Sequence, residues 1–311
     1  MEPIIEPIDR LLLKSELTTE RFIRVTRKGD NEIYVVNFHN SPNVVKEIGR
    51  LREVTFRHSG GGTGLSIDLD HFDTSENCYE QLIVWSPEDE EIVGGYRFIR
   101  CGNAISKGGN VALSTTNYFN FSDRFVNDYL PVTVELGRSW VQPLFQPTVN
   151  PRKGLFALDN IWDGLGAIVI TNPDIRYFFG KVTMYPTYER EARDFLLHFL
   201  NYFFPDNEEL IKPIHPLILA NNKPFEELKS QNLEYKEAFK ILNSYVREKG
   251  ENIPPLVNIY MNLSSTMKTF GTAVNPDFGN VEETGILVTI NDIYQDKKER
   301  HLDADFGKKR E

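Results

Sequence analysis

The sequence predicts an α/β (α+β) chain built on a mixed, mostly antiparallel central sheet flanked by helices. Three observations predict it. Alternating apolar residues mark several short strands. Two pairs of those strands are joined by brief turns, Gly29-Asp30-Asn31 and Ser86-Pro87-Glu88-Asp89, which suit hairpins. Segments with helical spacing fall between the strands. With 311 residues, no internal repeat and no linker, the chain reads as a single domain over 1–311. A helical elaboration is expected at about 205–263 and the last strands at about 269–291.

Taken in order, residues 1–20 give a lead-in and a short helix. Strands follow at 22–28 and 32–38. Ser41 and Asn43 open a helix to about 58, with Val44, Val45, Ile48, Leu51, Val54 and Thr55 at helical spacing. The glycine-rich run 59–64 lacks a preceding strand and a following Lys-Ser/Thr, so it reads as a mobile lid rather than a nucleotide loop. Asp68, Asp70 and Asp73 lie in an acidic loop that invites a calcium reading, but the EF-hand glycine and final glutamate are missing. Strands at 79–85 and 91–100 come next, the second softened by Gly94-Gly95. A short helix is expected over 121–128, a strand over 132–141 and a Pro-rich loop over 142–151. Beyond these lie a helix at 155–171, a strand at 176–184 and a helix at 188–203, whose stripe of Phe195, Leu196, Phe199, Leu200 and Phe203 suits core packing. An irregular stretch at 210–223, helices at 233–249 and 256–263, strands at 269–274 and 285–290, and a solvated charged tail complete the chain.

A formal charge of −10 argues against a nucleic-acid partner, for which a basic face is expected. Two cysteines, Cys78 and Cys101, supply neither a disulfide framework nor zinc spacing. No basic leader precedes an apolar run, and no apolar stretch approaches 18 residues. A cytoplasmic protein with peripheral contact at the inner membrane is expected.

The chemistry concentrates around 132–141. Val132, Val134 and Leu136 share one face of a strand, and Thr133, Glu135 and Gly137 the other. Gly137 in mid-strand marks a bulge or a close approach to a ligand. In an undisturbed pleat Arg138 falls opposite Glu135, and a core strand carrying both charges needs a partner for each. A structural ion pair and a functional site read alike at this level. Arg52, Arg97 and Arg138 with Asp70, Asp73 and Glu135 form a mutually satisfying set able to orient a zwitterionic small molecule. A carboxylate near its amine then serves as base. No serine elbow, no activated cysteine and no paired histidines are present among His39, His58, His71, His198, His215 and His301. Direct transfer without a covalent enzyme intermediate follows, with no bound cofactor and no metal.

Leu51-Arg52 with Phe56, Asp70-x-x-Asp73, Gly94-Gly95-Tyr96-Arg97-Phe98 and Val134-Glu135-Leu136-Gly137-Arg138 appear in that order. Together they resemble the signature of the autoinducer-synthase-like branch of the GNAT acyltransferases. That branch includes acyl-homoserine-lactone synthases and the hemolysin-like amino-acid N-acyltransferases of lyso-ornithine and glycine lipid synthesis. Pro254-Pro255-Leu256 and Asn275-Pro276-Asp277-Phe278-Gly279 are more similar to the lipoamino-acid enzymes. The resemblance covers 45–185 well and 253–291 more loosely.

The resemblance implies a GNAT fold in which the strands 132–141 and 176–184 splay to admit an acyl thioester carried on acyl carrier protein. Gln142-Pro143-Leu144-Phe145-Gln146-Pro147 lacks the glycines that bind pyrophosphate in coenzyme A-dependent relatives, which disfavours that donor. Arg152 and Lys153 are candidates for contact with the carrier protein. Glu135 is expected as base, with Arg138 beside it. Arg52, Asp70, Asp73 and Arg97 form the electrostatic cluster, and Gly137, Ser139, Trp140 and Phe98 serve the oxyanion and acyl chain, with Trp162 and Phe179 completing the acyl wall. The expected reaction places a fatty or 3-hydroxy-fatty acyl group on a small amino acid. Glycine is favoured over ornithine because no acidic residue is assignable to a δ-ammonium. An acyl-homoserine-lactone synthase, or a non-catalytic module binding acyl carrier protein or lipid, are the alternatives.

Overall fold

The computed structural model describes residues 1–106, 108–220 and 223–302. Helix α1 (Arg10–Glu16) leads into the first hairpin, β1 (Phe22–Val25) and β2 (Glu32–Val36), which pair antiparallel. Gly29 and Asp30 take positive φ of 84° and 47°, and the Thr26 N–H donates to the Asn31 carbonyl, ending β1 sooner than expected. Helix α2 (Pro42–His58) starts with proline at its first position, but Ser41 makes no capping bond. Glu16 caps the helix instead, its carboxylate accepting from the N–H groups of Asn43 and Val44 at 3.2 and 2.9 Å. After α3 (His71–Thr74) come β3 (Glu80–Ser86), β4 (Glu91–Arg100) and β5 (Phe119–Phe121). The helix expected over 121–128 forms from Asp123 and widens to π geometry at Phe125–Tyr129, while β5 takes Phe121.

The remaining elements are β6 (Thr133–Val141), α4 (Pro151–Gly154), α5 (Ala157–Thr171), β7 (Tyr177–Met184), α6 (Arg190–Phe203) and β8 (Ile211–Pro213). They continue with α7 (Lys223–Ser230), α8 (Tyr235–Glu248), α9 (Pro255–Met261), β9 (Lys268–Asn275), β10 (Val281–Thr289) and α10 (Gln295–His301). The expectations for Asn221, Asn222 and the tail from Asp303 lie outside the described residues.

Two compact units emerge, one from Met1–Ser114, Val132–Ile175 and the segment from Tyr294 on, the other from Thr115–Pro131 and Arg176–Ile293. In the first, strands run in the order β1-β2-β3-β4-β6, every neighbour antiparallel. Register sets the faces: Gln81 opposes Arg97, and Leu82 opposes Tyr96. α2 covers the Gln81–Arg97 face, where its Arg52 reaches Asp73, itself bonded to Gln81 and Arg97. α5 covers the other face, where a Cβ at Gly164 would press on the Leu82 side chain.

Gly95 sits where β4 presses against β3, and a Cβ there would fall on the Leu82 carbonyl oxygen. Gly95→Ala is therefore expected to cost about 1–3 kcal/mol by overpacking. The urea midpoint should fall with an unchanged slope; an unshifted midpoint would show that the strands can separate freely here.

In the second unit β10 pairs with both β7 and β9, and β5 with β8. Phe121, Phe125, Phe179 and Phe270 interlock, with ring centres 5.1–6.1 Å apart along the chain of contacts. The helical elaboration consists of α7, α8 and α9. The α6 stripe is core, with Phe195, Leu196, Phe199 and Leu200 buried and Phe195 stacked on Tyr245 at 4.5 Å. Glu282 and Glu283 are buried at the start of β10 and pair with Arg193 and Lys181.

One expectation needs correction. By length and composition, Pro151–Thr171 qualifies as a membrane span. However, 61% of its apolar window is buried inside the protein, as suits a core helix, and Asn160 and Asp163 are buried with it.

Candidate active site

The charged residues singled out by the sequence converge on one face of the first unit. Arg52 is fully buried on α2 and donates from Nε to Asp68 Oδ2 (3.0 Å), from Nη1 to Asp73 Oδ1 (3.1 Å), and from Nη2 to Asp73 Oδ2 (2.9 Å) and the Asp68 carbonyl (2.7 Å). Arg97 Nη1 reaches both Asp70 oxygens at 2.9 Å and Asp73 Oδ2 at 3.1 Å. Asp70 and Asp73 form a reciprocal capping box on α3, which fixes both carboxylates where the guanidinium groups need them. Burial works to raise the Asp68 carboxyl, yet Arg138 and Arg52 hold it below the usual carboxylate range. Burial likewise opposes ionisation of Asp73, and Arg52 and Arg97 overcome it.

Arg138 joins this cluster against the simple pleat. Gly95 opposes Trp140 and Arg97 opposes Gly137, so Arg138 and Ser139 together face one residue, Tyr96. That is a β-bulge, and Arg138 takes it up with φ 47°, a left-handed conformation that costs roughly 1–2 kcal/mol for a non-glycine residue. The extra residue turns its guanidinium onto Asp68 (Nε–Oδ2 3.0 Å), with Asp70 3.9 Å from Nη2. Gly137 itself does not supply the left-handed geometry. A Cβ there would make ordinary contacts with Arg97, at 3.4 and 3.5 Å. Asp70 is the most open member of the cluster at 32% exposure, Arg138 next at 14%.

Glu135 is fully buried on the same face, opposite Ile99. Its carboxylate accepts from Ser114 Oγ at 2.6 Å and from Tyr79 Oη at 3.0 Å. The Tyr79 ring lies under the Arg97 guanidinium, 5.2 Å from its centre, joining Glu135 to the charged cluster.

Other expected residues are dispersed. Trp140, paired with Gly95, lies on the cluster face, whereas Phe98, paired with Leu136, lies on the face under α5. Those two do not share one wall, because the pleat separates them. Trp162 is buried on α5, 6.3 Å from the His301 ring. Phe179 belongs to the aromatic group of the second unit. Ser139 is half-buried in the bulge. Arg152 and Lys153 are exposed on α4, where Lys153 pairs with Asp89 and lies 5.7 Å over the Phe145 ring.

The run 59–64 is fastened rather than loose. Buried Glu53 accepts from the Thr63 N–H and hydroxyl and from the Gly64 N–H, at 3.0, 2.8 and 2.8 Å. Among the described residues no group of three or more His, Cys, Asp or Glu is placed to hold a metal ion. The aspartates that suggested calcium instead engage Arg52, Arg97 and Arg138.

Sequence reasoning missed Asp68, Gln81, Tyr79 and Ser114 as members of the site. Asp68 was visible as an acidic residue in an apolar alternation, Ile67-Asp68-Leu69. The neutral groups gave no signal.

Residues 51–151, the stretch that carries the cluster, the bulge and Glu135, match the family described as Acetyltransferase (GNAT) domain. A glycine N(alpha)-acyltransferase of Bacteroides thetaiotaomicron is 53% identical over 305 residues, covering 97% of this chain and 90% of that protein. Another protein of that name, from Phocaeicola vulgatus, is 53% identical over 306 residues, covering 98% and 94%. The chain belongs to the GNAT-fold amino-acid N-acyltransferases. No solved structure matches it. As an acyltransferase of this family it draws on an acyl thioester and an amino-acid acceptor. Its bulged strand sets a buried carboxylate beside a charged face of which Asp70 and Arg138 are the accessible edge.

Proposed function

We propose that this acyltransferase moves a fatty or 3-hydroxy-fatty acyl group from acyl carrier protein to the α-amine of glycine. The near full-length identity to two proteins named for glycine N-acylation carries the choice of acceptor. The glycine-free segment at 142–147, a 3₁₀ turn at Pro143–Phe145, supports a carrier-protein donor over coenzyme A, with Arg152 and Lys153 as the docking cations. In this reading the amine nitrogen attacks the thioester carbonyl. The new C–N bond forms, the nitrogen gives up its proton to Glu135, directly or through a water, and the C–S bond breaks. That proton then goes to the departing thiolate of the carrier. Backbone N–H groups of the bulge at 138–140, where the ladder is interrupted, hold the oxyanion. Arg138 receives the acceptor carboxylate.

The enzyme works in the cytoplasm at the inner-membrane surface, since a single-chain product gains about 0.8 kcal/mol per methylene on entering a bilayer. The test is mass spectrometry of lipids from a host expressing the wild-type chain or Glu135→Gln. A new N-acyl-glycine lost in the variant is the expected result. N-acyl-ornithine instead would replace the acceptor, and no new lipid from soluble protein would sink the proposal.

A further inference from the structure

Glu135, Tyr79 and Ser114 close a ring of hydrogen bonds. Ser114 Oγ donates to Glu135 Oε1 (2.6 Å) and Tyr79 Oη to Glu135 Oε2 (3.0 Å), while the Ser114 backbone N–H donates to Tyr79 Oη (2.9 Å). All three are buried, at 0%, 1% and 6% exposure for Glu135, Tyr79 and Ser114. We propose that Tyr79 and Ser114 are positioning residues of the acyl transfer, keeping the Glu135 carboxylate ionised and aimed so that it takes the proton of the attacking amine. This rests on the reading of Glu135 as the base.

A carboxylate in a dry site prefers its protonated form, and hydrogen bonds to the ionised form oppose that preference. Having a donor on both oxygens also stops the group from swinging. The Ser114 N–H occupies a lone pair of the Tyr79 oxygen, which directs the phenol hydrogen onto Glu135. Both donors are themselves fixed. The Tyr79 N–H donates to the Phe72 carbonyl (2.7 Å), and its ring packs edge-to-face with Phe72, 5.5 Å away, with the Arg97 guanidinium over both rings. Burial, and then the charge of Glu135, push the Tyr79 hydroxyl well above its ordinary value, so it remains a donor throughout the neutral range; burial and the same charge raise the buried Cys101 thiol, so the acid limb of kcat is not its titration. Ser114 is delivered by a chain excursion closed by the Ile105–Val111 bridge and by the Ala112 N–H on the Ala104 carbonyl (2.9 Å).

The test is the pH dependence of kcat for Tyr79→Phe and Ser114→Ala, with palmitoyl-acyl carrier protein and saturating glycine, alongside thermal unfolding. Each variant should move the acid limb upward by about one pH unit, because loss of a donor to the ionised form strengthens proton binding. Ser114→Thr, which keeps the hydroxyl, should return the limb to its wild-type position. An unmoved limb in both variants, with kcat lowered evenly at every pH, overturns the proposal and leaves the hydroxyls a packing role. Should Tyr79→Phe fail to fold, the Ser114 variants decide alone. Glu135→Gln in the same assay separates the base from its positioning residues. Normal turnover there removes the base reading. An inactive Glu135→Gln beside unmoved limbs retains the base and removes only the positioning residues.

Discussion

Replacing Glu135 by glutamine is expected to lower kcat roughly 10²–10⁴-fold while leaving the fold intact, the range over which a positioned proton acceptor contributes. Shape is conserved, and the surroundings tolerate the amide. Ser114 and Tyr79 present hydroxyls to the two carboxylate oxygens, and a hydroxyl accepts as readily as it donates. The Ser114 hydroxyl can turn to accept from the new NH₂ group while Tyr79 still donates to the remaining oxygen. What glutamine cannot do is take a proton from the amine. Thiol release from acyl carrier protein gives kcat, and thermal unfolding reports the fold. Activity and melting temperature falling together would assign Glu135 a structural part. An unchanged kcat would remove it from the reaction altogether.

The largest expected loss of stability comes from Asp73→Asn. The buried Asp73 carboxylate receives Arg52 Nη1 and Nη2, Arg97 Nη1, Gln81 Nε2 and the Asp70 N–H, all within 3.1 Å. Asparagine removes the negative charge between two buried guanidinium groups and puts a donor among donors, a loss of about 3–5 kcal/mol for a broken buried pair. Urea unfolding measures it. The acid behaviour follows from the same contacts. In the folded state Asp68 and Asp73 bind protons more weakly than ordinary carboxyls, so their contribution is complete above about pH 5 and is lost as the pH falls below it. Urea midpoints of the wild type should therefore drop from about pH 5 towards pH 2, and those of Asp73→Asn should drop less. Parallel curves would place the acid-sensitive groups elsewhere.

The charged half of the site was legible because Arg52, Arg97, Glu135 and Arg138 interrupt apolar periodicity, and a charge in a buried pattern must find a partner. Where those partners stood was less legible. Parity placed Arg138 on the face away from Glu135; the bulge added one residue and reversed the side, an event that alternation cannot foresee. Asp68 read as one of three aspartates in an acidic loop that invited calcium, yet it bridges Arg52 and Arg138. Ser114 and Tyr79 are brought together by long-range contacts that leave no local trace. β10 begins four residues earlier than read, since Glu282 and Glu283 resemble loop residues until Arg193 and Lys181 are seen against them. β8 is three residues long, too short to show a period, and α7 opens on Lys-Pro, which reads as irregular chain.

α10 closes onto α5 through His301 on Asp163 and Arg300 on Asp159, and a Cβ at Gly166 would collide with the His301 carbonyl. Residues 176–293, nearly all of the second unit, lie between these two partners in the chain. On the ribosome, α5 must therefore wait on the order of ten seconds, at ordinary elongation rates, for the helix that finishes its surface. During that interval the apolar window of 151–171 is only partly covered, and its apolar surface stays open to wrong contacts. Completion of the first unit is a late event of synthesis, although most of its strands are among the earliest residues made.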